Sequence, residues 1–279
     1  MMRDASSGSS GPAMITSPHN PRVIAAVRLR ERRSRDETGL TIVDGARELV
    51  RAVGAGTIVE EAFVCEALLR SDDARAALAA LEQGRVRVWQ VTPAVLDKIA
   101  FGERAEGVVA VVRIPNTSLG RLHLPPDPLV GVIEAVEKPG NLGAILRSAD
   151  GAGLDALVAA EPRTDLFNPN AIRASLGTVF TVRLAAASTA ETLAWLRDRG
   201  LRIVAARVDA PQLASETDLG GPLAIALGSE VEGLSPVWSA PDVVPVRLPM
   251  LGVADSLNVA AAAAVLFYEA RRQRGLPVR

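Results

Sequence analysis

Cysteine is almost missing: Cys65 stands alone in 279 residues, which excludes an intrachain disulfide framework. It lies in the apolar run AFVCEAL and reads as a buried, inert thiol. Histidine stops at His19 and His123, too few and too far apart for a metal cluster, so no metal is expected. Aromatics make up only 3%, which argues against extensive stacking of bases on this protein. Neither sign of charge is in excess: the formal net charge is −1, so no global field announces a nucleic acid, and any such footprint must be local. Long apolar runs are missing too. The longest, Val259–Tyr268, is mostly alanine and falls short of a membrane span. Residues 1–13 lack the apolar stretch of a secretory signal. The Ser/Gly-rich Ser6–Gly11 reads as a flexible tail and takes no part in the fold. The expectation is a soluble, cytoplasmic chain. Lysine is also scarce: among 31 basic residues only Lys98 and Lys138 are lysines. Arginine brings a planar fork suited to two-pronged phosphate contacts.

What is present reads as an α/β protein in two parts. Asn20 caps a helix with Pro21 at its first position, running to about Arg33. This stretch carries Arg22, Arg28, Arg30, Arg32, Arg33 and Arg35 against Glu31 alone, the densest positive patch of the chain. It is either a solvated helix face or a phosphate-contacting arm. Then come strand Leu40–Asp44, helix Ala46–Val53, strand Val59–Cys65, helix Glu66–Leu81, strand Arg85–Val91, helix Pro93–Ala100 and strand Gly107–Arg113. Residues 14–113 therefore form a small α/β domain. Ile114–Pro128 holds four prolines, shows little apolar periodicity and reads as a linker.

The second part, residues 129–279, opens on strand Leu129–Val136 and helix Leu142–Ala152, joined by a turn over Pro139–Gly143 with Asn141 at the helix cap. Strand Asp155–Ala160, a short helix capped by Asn168, strand Val179–Ala185, helix Ala190–Arg199 and strand Leu201–Arg207 follow. Strands Pro222–Gly228 and Val243–Pro249 come next, then a last helix capped by Ser256 and running to about Arg274. Such alternation implies a mostly parallel sheet covered on both faces. Three loops, Pro139–Gly143, Gly228–Gly233 and Pro249–Asn258, each leave a strand and are rich in Gly and polar residues. In a parallel sheet such loops share one edge, where ligands bind. The first turn reads G-N-L-G, so neither a dinucleotide fingerprint nor a triphosphate loop is present.

These loops resemble the three motifs of the SpoU/TrmH family of RNA 2′-O-ribose methyltransferases, in the SPOUT superfamily. Asn141, Gly143 and Arg147 match the first motif, and Gly228, Glu230 and Gly233 the second. Leu248-Pro249-Met250 with Ser256-Leu257-Asn258-Val259 matches the third, and Asn168–Phe180 resembles the family's middle segment. ITSPHNPRV and IVDGARELV resemble the family's substrate-binding extension, where Glu is more usual than Asp44. The resemblance implies a C-terminal parallel-sheet domain tied in a deep trefoil knot, S-adenosylmethionine as cofactor, RNA as partner, and a homodimer through this domain. It places cofactor contacts at Gly228, Leu248 and Leu257, with Met250 and Asn258 nearby. It places the chemistry on Arg147, with Asn141, Glu230, Ser256 and Asn258 arranging the site, and RNA contacts on the arginine patch and Arg173. Ribosomal RNA is the expected substrate. The alternatives are transfer RNA, a non-catalytic RNA-binding member, or an ordinary nucleotide-binding α/β enzyme using the first turn.

Overall fold

The computed structural model describes residues 14–101 and 106–275. The tail expected over residues 1–13 lies outside the described residues. The chain divides into two compact units, Met1–Arg113 and Ile114–Arg279.

In the first unit, α1 (Pro21–Arg28) starts where expected, with Asn20 Oδ1 accepting from the Arg22 backbone N–H. The expected single helix to Arg33 is broken, and α2 (Arg32–Thr38) is a separate segment. Arg35 explains the break. It is buried at 1% exposure, and its guanidinium donates to the carbonyls of Leu29 and Arg30, both at 2.8 Å. The chain turns around a buried guanidinium, which takes up carbonyls that the end of α1 leaves open. The unit continues through β1 (Leu40–Asp44), α3 (Ala46–Gly54), β2 (Val59–Val64), α4 (Asp72–Gln83), β3 (Arg87–Gln90), α5 (Pro93–Ile99) and β4 (Val108–Arg113). The expected helix Glu66–Leu81 is a 3₁₀ turn over Glu66–Leu68 followed by α4, because Ser71 caps a new start by accepting from the Ala74 N–H. The sheet order is β1-β4-β2-β3, with β3 parallel to β2 and the other pairs antiparallel. Cys65 is buried in this unit's core.

The segment expected to be a linker belongs to the second unit. Leu122 is buried in that unit's core with Leu119 and Leu124 packed on it, and the Thr117 carbonyl accepts from Ala186 N–H at 2.8 Å. Three leucines hidden among prolines carry no helical or strand period, so composition alone misleads here. The unit then runs β5 (Leu129–Glu134), α6 (Pro139–Ala152), β6 (Ala156–Ala160), α7 (Pro169–Ala174), α8 (Thr178–Thr181), β7 (Leu184–Ala187), α9 (Thr189–Asp198), β8 (Arg202–Ala206), β9 (Gln212–Leu213), β10 (Leu223–Leu227), β11 (Val243–Arg247) and α10 (Val259–Gln273). The expected strand from Val179 begins later, since α8 takes up residues 178–181.

All pairs in this seven-stranded sheet are parallel, in the order β7-β6-β5-β10-β8-β11-β9. β5 and β6 are buried along their whole length, as strands covered on both faces must be. Progress along the sheet reverses beside β5, and such a switch point opens a crevice at the carboxyl ends of the strands. Because β10 pairs with β5 in register Leu227↔Ile133, the loops leaving these two strands emerge side by side. Among the described residues no helix is long and apolar enough to cross a membrane.

Candidate active site

The first loop turns directly into α6. Lys138 is its N-cap residue and Pro139 opens the helix, so Asn141 lies inside the first turn and does not cap it. Gly143, one turn on, faces α7. A Cβ there would sit 2.6 Å from the Ala174 carbonyl carbon and 2.7 Å from the Ser175 nitrogen, so only glycine lets the two helices approach.

The second loop closes on itself. Ser229 N–H donates to the Gly233 carbonyl at 3.2 Å and Gly233 N–H to the Ser229 carbonyl at 3.1 Å, with Gly233 left-handed at φ +69°. A buried carboxylate anchors the base of this loop. Glu134, at the end of β5, accepts from Thr189 Oγ1 at 2.6 Å, Ser235 N–H at 2.7 Å and Ser235 Oγ at 2.8 Å. Burial pushes its carboxyl up, but these donors outweigh burial and hold it below the usual carboxylate range. A carboxyl depressed in the folded state stabilises the fold at neutral pH, and this contribution is lost as pH falls through the folded value. Glu134→Ala strands three donors in the interior and is expected to cost about 2–4 kcal/mol in denaturant unfolding at neutral pH. The deficit relative to wild type shrinks on acidification.

The third loop ends on Asn258. Its Oδ1 caps α10 by accepting from Ala260 N–H at 2.9 Å, so Asn258 takes the place expected for Ser256. The same amide joins the loops: Nδ2 donates to Asn141 Oδ1 at 3.3 Å and to Glu230 Oε1. Glu230 Oε2 accepts from Lys138 Nζ at 2.9 Å. The Lys138 ammonium, helped by the Asn141 amide and the Val259 backbone N–H, holds the Glu230 carboxyl below its ordinary value despite some desolvation. The pairing raises Lys138 in turn. A second bridge lies beside the first, where Arg163 spans Glu137 at 2.6 Å and Glu232.

Next to this cluster lies a cavity of about 730 Å³, in the range of small-molecule sites. Gly228, Leu248, Met250, Ser256 and Leu257 line it, with Leu227, Ala262 and Leu266 at its apolar side. Arg147 stands apart. It is exposed on α6, and its side chain takes part in no hydrogen bond or ion pair among the described residues. Six residues beyond Asn141, its side chain leaves the helix about 120° around the axis from the amide.

Residues 128–268 match the SpoU rRNA Methylase family, and residues 20–110 match the MRM3-like substrate binding domain. The chain is 32% identical to a 23S rRNA (uridine(2479)-2′-O)-methyltransferase of Streptomyces viridochromogenes, over 88% of this chain and 87% of that protein. It is 34% identical to the 23S rRNA (guanosine-2′-O-)-methyltransferase RlmB of Bordetella pertussis, over 77% and 90%.

The chain belongs to the SpoU rRNA methylase family.

Solved structures agree. An RNA 2′-O ribose methyltransferase superposes with TM-score 0.82 at 42% identity, covering 94% of this chain and 99% of that one. An AdoMet-bound rRNA methyltransferase from Sinorhizobium meliloti does so at 0.84 and 27%, covering 93% and 97%. Among the family's motif residues, the fold therefore joins Asn141, Glu230 and Asn258 in one network and gathers Gly228, Leu248, Met250, Ser256 and Leu257 around one cavity. Among the described residues the Arg147 side chain stands outside that network, and Arg173 lies part-buried in the last turn of α7. Lys138 escaped sequence reasoning as a site residue, although its rarity in an arginine-dominated chain marked it.

The arginine patch needs correction. Arg35 is buried and holds the turn after α1, so it cannot reach a phosphate. Arg30 is half-buried, and its guanidinium donates to the carbonyls of Lys98, Ile99 and Ala100 at the end of α5. Arg22 pairs with Glu61 at 3.1 Å and lies 4.4 Å over the Trp89 ring. Arg32 and Arg33 pair along α2 with Asp36 at 3.5 Å and Glu37 at 2.7 Å, and Arg28 is exposed. Acidic partners just beyond Arg35 in the sequence offset much of the charge that a count ending at Arg35 records.

Proposed function

We propose that this protein transfers a methyl group from S-adenosylmethionine to a ribose 2′-hydroxyl of ribosomal RNA. The observation that carries this is the joining of all three loop motifs: one amide, Asn258, ties the first loop to the second while capping the helix that follows the third. The cavity beside it fits the cofactor in kind. Its apolar side suits a purine, and Gly228 lets the second loop that walls it close tightly, since a Cβ there would strike the Gly233 carbonyl group. Gly228, Leu248, Met250 and Leu257 would hold the cofactor, which supplies a methyl on a positively charged sulfur when bound.

The chain's own residues do the rest. Asn258 has both amide hydrogens and its oxygen engaged, so it organises Asn141 and Glu230. Ser256 and Arg147 are exposed and keep their donors open. A guanidinium stays protonated in proteins, so Arg147 acts by charge, stabilising the oxyanion that develops as the 2′-hydroxyl gives its proton to solvent and its oxygen takes the methyl. Calorimetry of cofactor binding, then transfer of labelled methyl to protein-free large-subunit rRNA and digestion to nucleosides, tests the assignment. Label in a 2′-O-methyl nucleoside supports it; label in a base, or none, counts against it.

RNA contacts away from the chemistry are proposed at the exposed arginines of the first unit and at Arg173. Charge reversal of Arg28, Arg32 and Arg33 together is expected to weaken RNA binding about tenfold or more at one fixed salt concentration, while cofactor affinity holds. Equal RNA affinity would remove these residues from the interface. Pairing of two copies through the C-terminal unit is also proposed, supported by apolar Val265 and Tyr268 standing exposed on α10. The knotted form of this unit is likewise proposed, supported by the insertion of β10 between β5 and β8.

A further inference from the structure

We propose that Lys138 is a positioning residue for methyl transfer: seated on the first loop, its ammonium holds the Glu230 carboxylate of the second loop in the orientation that fixes the Asn258 amide of the third. The proposal rests on placing Glu230 and Asn258 in the active site.

Three observations carry it. First, the Glu230 carboxylate is engaged on both oxygens, Oε2 by Lys138 Nζ at 2.9 Å and Oε1 by Asn258 Nδ2. Lys138 thus supplies the only cation hydrogen-bonded to Glu230 among the described residues. Without it, Oε2 loses its cation, and only neutral donors are left to hold the carboxylate against the amide. Second, Lys138 is the N-cap residue of the fourteen-residue α6. A cation there opposes the helix dipole. Its cost is offset by a carboxylate brought from the neighbouring loop, so the charge serves a contact across loops and not the helix itself. Third, arginine is the default cation of this chain, and lysine appears at this point. A compact ammonium bonds one oxygen and leaves the other to the amide, whereas a guanidinium fork tends to take both.

The groups facing Glu230 are few. Lys138 comes from the first loop, with Glu137 beside it. Asn141 comes from α6, and Asn258 with the Val259 N–H from the start of α10. Arg163 lies near but bonds Glu137 and Glu232, so it staples the same two loops without touching Glu230. Arg163→Ala is therefore a control for loop stapling alone.

The test compares Lys138→Ala, Lys138→Arg, Arg163→Ala and Glu230→Gln with wild type. Steady-state methyl transfer to protein-free large-subunit rRNA is measured, and the Glu230 carboxyl is titrated by carbon NMR. Lys138→Ala is expected to lower kcat about tenfold with the KM for RNA within about twofold. The Glu230 carboxyl moves up toward the usual carboxylate range, so the acid limb of the kcat profile moves up with it. Lys138→Arg restores the carboxyl titration and part of kcat; Arg163→Ala leaves the titration unmoved. Unchanged kcat in Lys138→Ala overturns the proposal. So does a raised KM at constant kcat, which would make Lys138 an RNA contact, and so does an equal carboxyl shift in Arg163→Ala. Normal kcat in Glu230→Gln would overturn the site assignment itself, whereas a loss there with none in Lys138→Ala would overturn only the role of Lys138.

Discussion

Arg147→Ala is expected to cut methyl transfer by about 10³-fold while S-adenosylmethionine binds with its wild-type affinity. The separation follows from position. The cavity proposed for the cofactor is lined by the second and third loops, the segment after β8 and the start of α10, and Arg147 is not among its lining residues. Its guanidinium stands exposed on α6 with no hydrogen bond or ion pair among the described residues to keep it from substrate. Removing it should not disturb packing, so a lost rate with intact cofactor binding and unchanged thermal unfolding reports on chemistry. Arg147→Lys keeps the charge but gives up the planar fork, and is expected to recover only part of the loss. Near-normal turnover of the alanine variant would take Arg147 out of the mechanism.

The second large effect is expected at Gly228, where β10 empties into the second loop. A Cβ at this position would fall inside contact distance of the Gly233 carbonyl group and the Leu234 nitrogen. These are backbone atoms in a closed turn, paired through Ser229 and Gly233, and cannot yield as a side-chain tip would. Gly228→Ala must therefore open the turn, shifting both the cavity wall and Glu230 two residues on. Cofactor affinity is expected to fall about 10²-fold or more, since displacing a preorganised wall removes several contacts together. The fold itself should survive, because β10 is paired on both sides below the loop. Calorimetry with S-adenosylmethionine checks the first effect and circular dichroism the second. Wild-type affinity would mean that this loop does not wall the cofactor site.

Much of this architecture was legible in the residues because local signals agreed with the global fold. Short apolar runs bounded by turn residues, such as those of β5 and β6, fit strands buried on both faces, and Asn20 and Asn168, each followed by proline, set two helix starts correctly. Failures came where tertiary contacts override local pattern. The helix expected through Arg33 breaks because a buried Arg35 recruits carbonyls from the turn, which no periodicity can reveal. Ser256 offers good capping chemistry, yet Asn258 caps α10 because its amide also answers to Asn141 and Glu230. The site was legible as motif positions, but the partnership of Lys138 with Glu230 spans loops far apart in sequence and emerges only when β5 and β10 are neighbours.

Mapping ribose methylation across the ribosomal RNA of a deletion strain against its parent tests the central claim most directly. A 2′-O-methyl group present in the parent should vanish in the deletion, return with the wild-type gene and stay absent with Arg147→Ala. An unchanged ribose-methylation map, or full recovery by the Arg147→Ala gene, would contradict the account.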